Sequence, residues 1–138
     1  MESLFWLVGL VLMGLALLHV AWGLGVVWPG RNPQDLAGKV VGSTEVGRMP
    51  LSFACFAVAA GLSGAAVSLA LLPHLGDGWP LLRVMGFAVA AVFLLRGLLG
   101  YILPRLTRTG LPFDRLNRLI YSPLCLALAG LTLLALWG

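Results

Sequence analysis

Four apolar stretches, at about residues 4–28, 51–72, 81–103 and 119–137, take up most of this chain. Each is close to the roughly 20 residues a helix needs to cross about 30 Å of hydrocarbon. Inside lipid the backbone must satisfy its own polar groups, which leaves helices or closed barrels. The runs are continuous rather than alternating, and about twice as long as barrel strands, so helices are expected. The predicted fold is an all-α integral membrane protein of one domain over 1–138, four transmembrane helices in an antiparallel bundle. Only 10% of the residues are charged, against about 25% in a soluble domain. The first stretch begins Met1-Glu2-Ser3, without the basic leader of a secretory signal, and is expected to be retained.

Four spans put the segments 29–50 and 104–118 on one side of the membrane. Those segments hold Arg31, Lys39, Arg48, Arg105, Arg108, Arg115 and Arg118, whereas the opposite side has Arg83. Seven basic residues against one predict that both long loops are cytoplasmic and both termini outside. Aromatic residues fit this frame. Trp6, Trp79 and Trp137 fall at outer ends, and Trp28, Tyr101 and Tyr121 at inner ends, where amphipathic rings favour the headgroup zone. Pro29 and Pro104 are expected to stop the first and third helices.

Helices in lipid approach closely where side chains are small. The second span offers two such rows, Ala57, Gly61, Ala65 and Ala60, Gly64, Ser68. It is expected to lie centrally against two neighbours, although the same rows suit a homo-oligomer.

Two polar side chains interrupt the spans. Arg96 lies in the third, and an arginine at a helix centre costs about 2.5–3.5 kcal/mol on insertion scales. It lies about 10 Å inside the predicted inner end, so it either snorkels to the interface or lines a cavity and holds a carboxylate or phosphate. His19 lies in the first span with Trp22 on the same face, one turn on. A hydrogen bond to a neighbouring backbone group or hydroxyl is the plainer reading of His19, and a ligand role the alternative. The fourth span enters with Asn117, Arg118, Tyr121, Ser122, Pro123 and Cys125. Arg96, His19, Trp22, Tyr121 and Ser122 are thus at similar depth in the inner leaflet and form the candidate ligand site. Glu45 and Asp114 are loop acids within reach of Arg96 or of surface arginines.

Other chemistries find little support. No nucleophile–base–acid set, paired intramembrane carboxylates or phosphate-cradling glycine loop is present, so no catalytic residue is assigned. His74 belongs to the opposite end from His19, which argues against a shared haem or metal, and no cofactor is expected. Cys55 and Cys125 lack the Cys-x-x-Cys spacing of thiol redox enzymes and read as small core residues. The net charge of +4 is too sparse and segregated for a nucleic-acid surface. The segment 104–118 interleaves Leu106, Leu111, Phe113 and Leu116 with four arginines, a pattern suited to the inner membrane face.

Three pieces resemble a known family: His19-Val20-Ala21-Trp22-Gly23-Leu24-Gly25, Phe93-Leu94-Leu95-Arg96, and Asn117 with Tyr121-Ser122-Pro123-Leu124-Cys125. They are similar to domain-of-unknown-function family 3995, small four-helix bacterial membrane proteins. The resemblance implies the four-span fold and a bacterial inner-membrane location, and implies no activity. The family pattern places acids shortly after the third-span arginine and at the position of Asn117, and this chain has neither. The leading expectation is a non-enzymatic protein binding a lipid headgroup or small amphiphilic anion through Arg96. The alternatives are an accessory subunit of a larger membrane complex and a small oligomeric transporter.

Overall fold

The structure is a computed structural model that describes residues 1–41, 52–107 and 110–138. Glu45, Arg48, Leu51 and Arg108 lie outside the described residues. Helix α1 spans Glu2–Gly23, α2 Pro33–Val40, α3 Ser52–Leu75 and α4 Pro80–Thr107. A short α5, Pro112–Leu116, leads through a π turn, Asn117–Tyr121, into α6, Ser122–Trp137. Four helical runs are long and apolar enough to cross a membrane: α1, α3, α4, and the run from α5 through α6. The described residues contain no strand.

The first helix stops earlier than its apolar run. Sequence hydropathy extends it to Trp28, but the chain leaves the helix after Gly23. Gly25, at φ 95°, takes the left-handed conformation that glycine adopts without penalty. Its N–H donates to Trp22 O at 3.1 Å, and the Val26 N–H reaches back to Ala21 O at 2.9 Å. These two bonds satisfy the last carbonyls in a Schellman ending. The Trp22 indole then donates to Trp28 O at 2.8 Å and folds the apolar tail 24–28 back onto the helix end.

The third helix runs past its expected stop, through Pro104 to Thr107. Pro104 has no N–H, so the Gly100 carbonyl one turn back loses its intrahelical donor. A replacement donor, described below, keeps the helix going.

The segment after α1 contains a helix that hydropathy alone does not reveal. Asn32 caps α2, its Oδ1 accepting the Asp35 N–H at 2.8 Å, and Pro33 occupies the first helical position. Leu36 and Ala37 turn inward and are buried. The Asp35 carboxylate accepts the Arg31 N–H at 2.8 Å and Lys39 Nζ at 3.0 Å. Hydrogen bonds from the Arg31 backbone and the Lys39 ammonium hold its pKa below the usual 3.8. A depressed carboxylate pKa contributes stability above the unfolded value that is lost as pH falls through the folded one. The seating of α2 is therefore expected to be constant from neutral pH down to about 4 and to loosen in stronger acid. Asp35→Asn should remove that acid transition, read by the fluorescence of Trp22 and Trp28 in the full chain.

The core joins three long helices. Phe5, Val8 and Leu12 of α1 meet Ala66, Leu69 and Leu72 of α3, and Leu128, Ala135 and Leu136 of α6. The two largest interfaces are α1 with α3 and α4 with α6. In the first, Gly9 lies against Ala66 and Gly23 against the Phe56 ring. In the second, Gly86 lies against Leu136, Gly97 against Leu126 and Gly100 against Ser122. Small residues thus set the close approaches, as packing in lipid requires. The small rows of α3 behave otherwise. Gly61 and Gly64 are exposed, with nothing within 4 Å of where a Cβ would stand. The α3–α4 interface is correspondingly thinner.

Candidate functional site

Arg96 projects from α4 toward the π turn, where its guanidinium donates to Asn117 Oδ1 at 3.0 Å. Asn117 is 1% exposed. Its amide Nδ2 donates to Gly100 O, the carbonyl that Pro104 deprives of an intrahelical donor. Ser122, fully buried, donates its hydroxyl to the same Oδ1 at 3.2 Å. Asn117 therefore collects a charged donor, a hydroxyl and a stranded carbonyl. A Cβ on Gly100 would collide with Ser122 Oγ and crowd Arg96 and Asn117, so glycine is what allows the helices to meet here.

The π turn has a matching consequence. The Ser122 N–H bonds to Asn117 O, one residue further back than in an α-helix. Arg118 O is thereby released, and the Tyr101 hydroxyl of α4 donates to it at 3.2 Å. Gly100 O of α4 and Arg118 O of the π turn thus each accept from a side chain across the junction. Among the described residues no buried side-chain polar atom is left without a partner.

Among the described residues, three cavities lie at or beside this junction. One of about 400 Å³ is lined by Arg96, Gly100, Leu103, Phe113, Asp114 and Asn117, and touches Val41 after α2. Across Gly100 and Pro104 lies one of about 490 Å³, with Arg105 and Arg118 on its wall. The third, about 260 Å³, is lined by His19, Trp22, Val40, Val41, Cys55 and Val58. Three arginines thus flank the segment Gly100–Pro104, and Arg96 is half-buried there beside a neutral amide.

The five residues expected at one site divide between these places. Arg96 lines the first cavity and Ser122 lies behind it, closed off from both solvent and cavity. His19 and Trp22 line the third cavity, their rings edge-on at 4.9 Å, and Val41 is the wall it shares with that of Arg96. His19 Nδ1 lies 2.8 Å from Leu15 O, the local backbone bond its position on a helix permits. His19 is only four residues, or about 6 Å, from the true end of α1. Tyr121 reaches away to α2, donating to Lys39 O at 3.0 Å, with Phe113 against its ring. No group of three or more His, Cys, Asp or Glu side chains able to hold a metal occurs among the described residues.

Sequence reasoning missed Asn117 as the centre of the site. Its signal was the pairing of an intramembrane arginine with a helix-interior proline, which together demand an acceptor and a donor. An asparagine amide supplies both.

No curated protein and no solved structure matches the chain. One family model does, described as "Protein of unknown function (DUF3995)", over residues 12–132. That match covers α1 from its middle to the last turns of α6 and includes Arg96, Asn117 and their neighbours. The chain belongs to this family of unknown function.

Proposed function

We propose that the protein binds an anionic headgroup, of a lipid or a small amphiphile, at Arg96 in the inner leaflet of a bacterial cytoplasmic membrane. The observation that carries this reading is the pairing of Arg96. Its guanidinium is half-buried on the wall of a 400 Å³ cavity and is held there by a neutral amide oxygen. A guanidinium has five donors in a fixed fork, and Asn117 Oδ1 occupies one side of it. A phosphate or carboxylate placed at the free side completes the fork and gains a charge-assisted bond at a poorly hydrated site. Arg105 and Arg118 add positive potential on the neighbouring cavity wall, and Asp114, which borders both cavities, offsets one of these three charges.

The topology that suits this site is an antiparallel bundle with both termini outside and the arginine-rich segments cytoplasmic. The excess of basic residues in 29–50 and 104–118 supports it. So do the contacts of Gly9 with Ala66 and Gly23 with Phe56 along α1 and α3. No nucleophile or base is assigned a part, and the action is binding.

Arg96→Leu is expected to weaken retention of phosphatidylglycerol at least about tenfold, equivalent to about 1.4 kcal/mol. Native mass spectrometry of the gently extracted full chain reads this directly. Asn117 keeps its bonds to Gly100 and Ser122 in the variant, so the fold should persist. Equal lipid retention by wild type and Arg96→Leu would refute the reading.

A further inference from the structure

The thin α3–α4 interface leaves an apolar groove of about 480 Å³, and its lining includes Gly61 and Gly64 of α3 with Met85, Val89, Val92 and Phe93 of α4. At their hairpin end the two helices touch, with Gly86 against Leu72 and Ser68 Oγ 3.9 Å from Met85 Sδ. Beyond that contact the two glycines keep the groove open. Along α4 it runs from Met85 to Phe93, about 12 Å by helix rise.

The same face of α4 continues into the Arg96 cavity. Met85, Val89, Val92, Arg96, Leu99 and Leu103 recur at three- and four-residue spacing, which is one stripe of a helix. The first three line the groove and the last three line the cavity. Val58 also lines both the groove and the His19 cavity, which in turn shares Val41 with the cavity of Arg96. The groove and the Arg96 cavity therefore lie in line along one stripe of α4, and the cation there bonds a neutral amide, with Asp114 on the same cavity wall.

We propose that this groove seats the hydrocarbon chain of a long-chain lipid anion whose phosphate meets Arg96. The inference rests on the headgroup reading above and adds the chemical class of the ligand: a lipid rather than a water-soluble anion. Charge favours a lipid over a protein helix here: a methylene chain in the groove carries its headgroup toward the Arg96 guanidinium, which lies further along the same stripe of α4.

The test uses the full chain in detergent with two probes, dioleoyl and dihexanoyl phosphatidylglycerol, followed by native mass spectrometry. Wild type should retain the oleoyl lipid about tenfold better than the hexanoyl one, a ratio worth about 1.4 kcal/mol. Gly61→Leu with Gly64→Leu should fill the groove and erase the chain-length preference while the hexanoyl lipid still binds. Arg96→Leu should lose both lipids. A preference that survives in the filled variant overturns the groove assignment alone. Hexanoyl binding that survives Arg96→Leu overturns the headgroup reading, and the inference with it. A dimer mass in wild type that the filled variant loses gives the groove to a second copy and also overturns the proposal. Should the double variant fail to fold, Val92→Trp, from the exposed side of α4, fills the same space and is read in the same way.

Discussion

Replacing Asn117 with leucine is expected to destabilise the protein by about 3–5 kcal/mol, from three lost bonds in lipid at about 0.6 kcal/mol each and a stranded carbonyl at about 1–3 kcal/mol. The side chain changes little in volume, so the loss is one of pairing. Gly100 O, Ser122 Oγ and the Arg96 guanidinium lose a shared partner together. Thermal unfolding in a mild detergent measures it. The mechanism makes a further demand. Pro104→Ala restores an N–H one turn beyond Gly100, and with it an intrahelical donor to Gly100 O. Added to Asn117→Leu, it should recover about 1 kcal/mol, a coupling typical of residues sharing one partner. If the two substitutions are instead additive, Asn117 does not act through that carbonyl.

Gly100→Ala is the second large effect. Its added methyl would overlap Ser122 Oγ and come within 2.8 Å of an Arg96 guanidinium nitrogen and 3.1 Å of Asn117 Nδ2. Overpacking costs about 1–3 kcal/mol where neighbours cannot yield. Ser122 is fully buried and its backbone belongs to a helix, so the upper end of that range is expected. Gly61→Ala serves as the control, since nothing lies within 4 Å of its added atom and it should be neutral or stabilising by up to about 1 kcal/mol. The comparison separates a steric effect from the gain in helix propensity both substitutions share. Unfolding midpoints within a degree or so of each other would contradict the close approach at Gly100.

Much of the architecture was legible because lipid limits the alternatives so severely. Continuous apolar runs near the span length predict helices whatever their neighbours do. Their ends were less legible, for two different reasons. At α1 the apolar count ran on through Leu24, Val26 and Val27, although Gly25 already signalled a C-terminal stop. At α4 the proline rule predicted a stop, but a donor from another helix repaired the missing bond. No local rule can contain that repair, because Asn117 comes 13 residues after Pro104. The helix α2 was within reach, since Asn32-Pro33 and Asp35 with Lys39 are its cap and its i,i+4 pair. Depth could place Arg96 and His19 in one leaflet, but the rotation of each helix decided which cavity each side chain lines. Periodicity cannot supply that rotation here, because the spans are apolar on every face.

The chain can be pictured as two stiff rods, α1 with α3 and α4 with α6, fastened together near both tips. At one tip the fastening is the short turn from Leu75 to Pro80, near which Gly86 of α4 lies against Leu72 of α3. At the other it is α2, tied to the far rod by the Tyr121 hydroxyl. Between the tips the rods are held by apolar packing, with Leu12, Leu69 and Leu128 buried together. Mixed into thin or short-tailed bilayers, the two rods should therefore tilt together, because neither tip is free to part from the other.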